Sequence, residues 1–159
     1  MKDQFFSAFA IGLAVIAVAV GAVLYMQRGA HLDLTGPVSV RIHPTDDNTS
    51  LAILNLHLTN PADYGFQIMN VTVTLETKNG EFPTTIISRV DAQKLAEAIP
   101  EVGPFHPTLY TKYTIPPHST SDYTLFAQYS APAKILEDRK RFLVTIDEID
   151  GKSVQLSEK

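Results

Sequence analysis

The sequence predicts a mainly β protein, in which an N-terminal transmembrane helix precedes an antiparallel β-sandwich of seven or eight strands with one or two short helical insertions. Three observations lead there. Phe5 to Met26, FFSAFAIGLAVIAVAVGAVLYM, is a run of 22 residues without a charge. From Val38 onward, apolar and polar residues alternate with the period of two that half-buried strands show. Turn signals built on Gly, Pro, Asn and Asp separate these runs at short intervals, as in antiparallel sandwiches.

The apolar run comes first. At a rise of about 1.5 Å per residue it extends about 33 Å, close to the roughly 30 Å of bilayer hydrocarbon. A signal peptide has an apolar region of only about 7–15 residues, and the flank YMQRGAHLD offers Arg28 and His31 where small cleavage-site residues belong. The run therefore reads as an uncleaved anchor. The expected division is a tail over residues 1–4, a transmembrane helix over 5–26, a linker over 27–37 and the sandwich domain over 38–159. Lys2 and Arg28 balance across the helix, so basic flanks do not orient it. A β-rich domain without a cytosolic catalytic motif fits export, which implies a single-pass inner-membrane protein with its C-terminal domain in the periplasm. Ser7, Ala10, Ala14, Ala17 and Gly21 form one stripe of small side chains. Such a stripe admits close approach of a second helix, from a protein partner or by self-association. Nine of the 22 residues are Ala, Gly or Ser, so a stripe of this kind also arises easily.

Composition narrows the chemistry. With no cysteine, the chain has no disulfides, thiolate metal sites or cysteine nucleophiles. A net charge of −4 without a Lys/Arg stripe argues against nucleic acid. The one basic cluster, EDRKR at Glu137 to Arg141, contains two acids and reads as a solvated turn or helix end. No glycine-rich phosphate loop or other cofactor motif is present.

The elements follow in order. VSVRIH, Val38 to His43, places Val38, Val40 and Ile42 on one strand face. HPTDDNTS supplies a turn. LAILNLHLT points Ala52, Leu54, Leu56 and Leu58 inward, with Ile53, Asn55, His57 and Thr59 opposite. Asn60 and Pro61 then end the run: Asn bonds its own backbone in a turn, and Pro cannot join a ladder. Gly65 is expected to supply a positive φ on re-entry. IMNVTVTLETK continues with Met69, Val71, Val73 and Leu75 inward. Asn79-Gly80 predicts a two-residue type I′ hairpin, and EFPTTIISRV returns as a strand whose Pro83 belongs at its start or on an edge. DAQKLAEAI switches to a helix capped by Asp91, with Leu95, Ala98 and Ile99 as its apolar face. TLYTKYTI and DYTLFAQYS read as strands, and PAKILEDRK as a short helical turn with Pro132 at an early position. RFLVTIDEIDGKSVQLS closes as a hairpin turning at Asp150-Gly151. This strand spacing favours the immunoglobulin-like sandwich over a barrel.

Several clusters resemble chemistry. His43 lies near Asp46 and Asp47, where a cation is conceivable, though a polar turn held by Asx hydrogen bonds explains the same residues. HSTSD, His118 to Asp122, holds the residue types of a hydrolase triad, yet triads assemble from separated loops and no nucleophile elbow occurs. Asp147 and Glu148 are neighbours on one strand and point to opposite faces, while Asp150 belongs to a turn. Asn48 and Asn70 begin glycosylation acceptor patterns, which matter only in a eukaryotic secretory pathway. The tyrosines after Pro107 and Phe126 read first as side chains packed across strands, and second as a protein-binding face.

A strand ending in TNP, followed by a second strand closing on NG, resembles the late-embryogenesis-abundant type 2, or WHy, domain. The later YTIPPHSTSDYTLFAQY matches that family's I-P step into a strand. The similarity spans about Val38 to Tyr129; the helical insertion from Asp91 to Pro107 and the last hairpin depart from the pattern. It implies a non-enzymatic domain linked with stress tolerance or the bacterial envelope, and it carries over no catalytic residues. The expected activity is therefore protein binding, as an accessory subunit or envelope scaffold. The alternative is a protective sandwich that binds lipid or another small apolar ligand.

Overall fold

A computed structural model of the chain describes residues 2–26, 33–99 and 102–158, with side chains over 11–25 in the first segment. Helix α1 spans Lys2–Met26, so it begins three residues before the expected Phe5. The side chains of residues 11–25 are all exposed. Among the described residues no helix is long and apolar enough to cross a membrane.

Among the described residues eight strands follow, interrupted by two short helices. They are β1 (Val38–Asp46), β2 (Thr49–Asn60), β3 (Phe66–Thr77), β4 (Gly80–Thr85), α2 (Arg89–Ala98), β5 (Thr114–Ile115), β6 (Ser119–Tyr129), α3 (Ala133–Glu137), β7 (Arg141–Glu148) and β8 (Ser153–Ser157). One sheet has the order β1-β2-β6. The other runs β4-β3-β7-β8, with β5 also on β3, and every pairing is antiparallel. Alternation builds the core between them. Ala52, Leu54, Leu56 and Leu58 of β2 meet Val71, Val73 and Leu75 of β3, Leu125 of β6, and Phe142, Val144 and Ile146 of β7, all buried. The sheets are also stitched at two corners. Beyond β4, Ile86 bridges Ala127 of β6, and Val38 of β1 bridges Glu158 just after β8.

One end of the second face of the three-stranded sheet is covered too. Leu51, Ile53 and Phe126 point away from the main core and pack against Ala92, Ile99 and Val102, with Leu95, Ala96 and Ile87 beside them. This explains why Tyr123 through Ala127 are buried without alternation. The helix face that does this is Ala92, Leu95, Ala96 and Ile99, spaced i, i+3, i+4, i+7. The expected Ala98 is instead exposed.

Several local expectations are corrected. The N-cap of α2 is Ser88, whose Oγ accepts from the Asp91 amide (3.3 Å) and donates to the Asp91 carboxylate (2.8 Å). Asp91 is thus the third helical residue of a capping-box arrangement. Pro132 is the N-cap of α3. The β3–β4 hairpin closes at Thr77 and Gly80, so its two turn residues are Lys78-Asn79. Thr77 Oγ1 accepts from the Asn79 amide, and Gly80 takes the positive φ. The last hairpin is one residue broader than a two-residue Asp150-Gly151 turn. Gly151 N–H donates to Glu148 O, and Gly151 has φ +86°, the three-residue loop with a left-handed glycine. Of TLYTKYTI, only Thr114–Ile115 forms a strand; Tyr113 N–H donates to Tyr110 O and Lys112 has φ +71°, so a turn replaces the rest.

The break after β2 is held by Asn60, which is 1 % exposed. Its Oδ1 accepts from the Ala62 amide, and its Nδ2 lies 3.0–3.2 Å from the carbonyls of Tyr64, Ile115 and Pro116. Gly65 has no positive φ. A β-carbon there would lie 2.7 Å from Thr114 Cγ2, so the glycine serves the close approach of β5. Pro83 sits opposite Thr74 on β4, the edge of its sheet, where its missing N–H faces no neighbouring strand.

Candidate functional site

A surface groove opens at the border of this covered face. After Thr85 the chain leaves β3 and crosses to the other sheet: Thr84 Oγ1 donates to Gln128 O, and Ile87 N–H donates to Phe126 O (2.8 Å). Helix α2 then starts at Arg89. On β3, β4 pairs with Thr72 to Thr77 and β5 with Phe66 and Gln67. Lys112 N–H donates to Ile68 O and Ile68 N–H to Tyr113 O. A gap of about three residues remains, at Met69, Asn70 and Val71. There a cleft of about 350 Å³ opens, lined by Asn70, Val71, residues 85–89 and residues 109–111.

Arg89 and Tyr110 also line a second cleft of about 500 Å³, with Gln93, Phe105, Pro107, Thr108 and Tyr113. The Arg89 guanidinium carbon lies 5.4 Å from the Tyr110 ring centroid, within cation–π range. Tyr110 packs at 5.2 Å on Tyr113, which meets Tyr123 edge-on at 5.9 Å, and Phe105 lies 6.3 Å from Phe126. The partly exposed ring of Phe105 (38 %) thus rests on buried Phe126, and that of Tyr110 (39 %) on Tyr113, which in turn meets buried Tyr123. Burial first, then the Tyr113 hydroxyl beside it, pushes the Tyr123 phenol well above its ordinary range. It stays a neutral hydroxyl against Tyr113.

A third cleft, of about 400 Å³, lies on the outer face of the three-stranded sheet. His57 and Asp122 are in register across β2 and β6, and His57 Nδ1 is 2.6 Å from Asp122 Oδ1. Ser39, Asn55 and His106 add polar groups to the lining, with Pro37, Leu56 and Pro104 beside them. Asn55 Oδ1 accepts from Thr124 Oγ1, which accepts from the His106 amide. Near the linker, Lys152 Nζ lies 2.6 Å from Asp33 Oδ1. Glu148, 3 % exposed, shares this polar corner with Tyr64 and Asp150. Burial, then the Asp150 carboxylate, raises the Glu148 carboxyl above its ordinary 4.5.

The sequence candidates fall as follows. Ser7 and Ala10 lie outside the residues whose side chains are described; Ala14, Ala17 and Gly21 are exposed. The HSTSD residues go to separate partners: His118 Nε2 to Asp63 (2.9 Å), Ser119 Oγ to Pro116 O, and Asp122 to His57. Asp46 Oδ1 accepts from the Asn48 amide as an Asx turn, and among the described residues no His/Cys/Asp/Glu group of three gathers to hold a metal. EDRKR is not simply solvated: Arg139 is largely buried against Glu158, and Arg141 pairs with Glu76. Asp147 accepts from Ser153 Oγ, whereas Glu148 is buried. Of the aromatic residues, Tyr123, Phe126 and Tyr129 are packed and Tyr110 is exposed. Arg89, Gln93 and Phe105 were not anticipated. The signal for Arg89 was the Ser88-x-x-Asp91 capping pair, which makes Ser88 the N-cap and Arg89 the first helical residue.

Compared with protein-family models, curated proteins and solved structures, the chain has no significant match.

Proposed function

We propose that this chain is a non-enzymatic, single-pass membrane protein that displays its β-sandwich outside the cytoplasm. There it acts as an accessory subunit or envelope scaffold, binding another protein through the groove around Arg89 and Tyr110. The observation that carries this reading is the stacked pair itself. Arg89 has no acidic partner among the described residues and lies over Tyr110 between two adjoining clefts. Arg and Tyr are the residue types that dominate interface energetics, and rings anchored on a rigid core lose little entropy on contact.

Two further observations support it. Ile11, Leu13, Val15, Ile16, Val18, Val20, Val23 and Leu24 of α1 are each at least half exposed, and an all-round apolar helix needs an apolar medium or partner. Residues 5–26 would supply the anchor, and Ala14, Ala17 and Gly21 a route to self-association. The space between the sheets is filled by Leu54, Val73, Leu125, Phe142 and Val144, none with exposed surface. Close packing there favours binding on the outside over an interior site for an apolar ligand. An immunoglobulin-like sandwich of the late-embryogenesis-abundant type 2 kind would suit such a role.

Affinity purification of crosslinked membranes tests this with wild type, Arg89→Ala, Tyr110→Ala and Phe82→Ala, the last in a different cleft. A partner captured by wild type and Phe82→Ala, and lost from the other two, is expected. Capture that ignores both groove substitutions would sink the reading. Protease protection of spheroplasts tests sidedness, with cleavage of the domain in intact spheroplasts expected.

A further inference from the structure

We infer that the groove takes an extended peptide segment of its protein partner, one that sets a single carboxylate on Arg89 and an adjacent aromatic or large apolar side chain over Ile86 and Ile87. This rests on the protein-binding reading and adds the chemistry of what is bound.

Charge selects the first element. The Arg89 guanidinium carbon lies 5.4 Å from the Tyr110 ring centroid, and a cation held over a ring still has N–H donors to offer a ligand. A carboxylate matches that planar fork with two parallel hydrogen bonds. The nearest acid in sequence, Asp91, is already occupied by Ser88 and approached by Lys94 at 3.9 Å. The chain as a whole carries −4, so a polyacidic segment is repelled where one carboxylate is welcomed.

Shape selects the rest. Between the ends of β4 and β5, β3 has a short edge that neither strand covers, at Met69 to Val71. An extended backbone fits beside such an edge. Half-buried Ile86 and Ile87 give the neighbouring wall its apolar surface, and the exposed polar side chains of Asn70, Thr85 and Thr111 form the rim. On the far side of Arg89, the Phe105 and Tyr110 rings continue the platform. A rigid apolar seat with a few placed polar groups is the usual make-up of a binding cleft.

The test uses the full chain in detergent micelles, followed by amide chemical shifts. The probes are acetylated, amidated hexapeptides with one Glu set one to three positions from one Phe, the same peptides with Gln for Glu, and glutarate alone. At least one Glu peptide should move the Val71, Arg89 and Tyr110 signals, with the Gln version about tenfold weaker, as for loss of one charge-assisted contact. Arg89→Gln should erase the Glu/Gln difference, and Arg89→Lys should restore part of it. The inference is overturned if no hexapeptide moves those signals, if Glu and Gln peptides bind wild type equally, or if Arg89→Gln keeps the preference. Glutarate binding as tightly as the peptides would also overturn it, by marking a small-molecule site. Silent peptides together with Tyr110-dependent partner capture would remove this inference and leave the protein-binding reading standing.

Discussion

Replacing Asn60 with Ala should be among the most damaging single changes in the domain. The amide of Asn60 closes the loop after β2 from both ends: Oδ1 holds the Ala62 N–H, and Nδ2 has only two hydrogens for three carbonyls, of Tyr64, Ile115 and Pro116. Pro116 is exposed and its carbonyl can turn to water, but Ala62 and Ile115 are 2 % and 0 % exposed. Truncation therefore orphans about two buried polar groups at about 1–2 kcal/mol each, or about 3 kcal/mol in all. With a urea dependence of about 2 kcal/mol/M, the midpoint falls by about 1.5 M. Tyrosine circular dichroism of the detergent-solubilised chain reads the transition, since there are six tyrosines and no tryptophan. Asn60→Asp sharpens the test. It keeps the acceptor for Ala62 but aims a carboxylate at the carbonyls, so its loss should be larger at neutral pH and shrink on acidification. A midpoint shift under about 0.5 M for Asn60→Ala, with no pH dependence for Asn60→Asp, would refute the reasoning.

The remaining expectations are brief. Ser88→Ala should cost about 1 kcal/mol by removing the cap of α2, read as a lower thermal midpoint, whereas Asp91→Asn should cost less. Phe126→Ala empties a site with no exposed surface between the three-stranded sheet and α2, and should cost about 3–5 kcal/mol. Amide hydrogen exchange in α2 should rise with it. Glu148 has its folded pKa raised above the ordinary 4.5 by burial and then by Asp150, so the folded state binds its proton more tightly than the unfolded state. The stability it contributes is complete below 4.5 and is lost as pH rises through the raised folded value. Glu148→Gln should flatten that part of the stability profile, and thermal melts across the range would show it.

Much of the sandwich was legible because burial on one face writes itself into the sequence. The alternation Ala52, Leu54, Leu56, Leu58 placed β2 correctly, and Val71, Val73, Leu75 did the same for β3, but Met69, expected inward, is exposed because the β3 register shifts between Ile68 and Asn70. Pro83 was correctly confined to an edge, because a missing donor cannot be hidden inside a sheet. Errors gathered where one residue type serves two purposes. Asn-Gly and Asp-Gly suggest two-residue turns, yet here each glycine follows the two turn residues and takes the positive φ alone. Gly65 was assigned to backbone freedom, when the decisive term is the space occupied by Thr114. TLYTKYTI has strand propensity throughout, but the left-handed Lys112 and the Tyr110–Tyr113 turn override it, since propensity is weak against tertiary contacts.

The groove was illegible for a different reason, and that reason connects fold to function. A strand whose two faces are both buried loses its alternation, so Tyr123 to Ala127 could report that a second layer existed but not what it was. The layer is α2, and reaching it requires the chain to leave β3 after Thr85 and cross to Phe126. That crossing uncovers β3 between β4 and β5 and sets Arg89 at the helix start, beside a turn that presents Tyr110. Covering one hydrophobic face therefore opens a polar-rimmed cleft at its border. No short sequence motif encodes such a cleft, because its walls come from β3, from the start of α2 and from residues 105–113, three segments joined only by the crossing. If the crossing made the groove, a change that loosens α2 without touching Arg89 or Tyr110 should disturb both clefts together. Ala92→Gly is such a change: it withdraws a methyl with no exposed surface and adds about 1 kcal/mol of helix penalty. Amide shifts of Val71 and Tyr110 that stay at their wild-type positions in that variant would show that the groove is held independently of the helix.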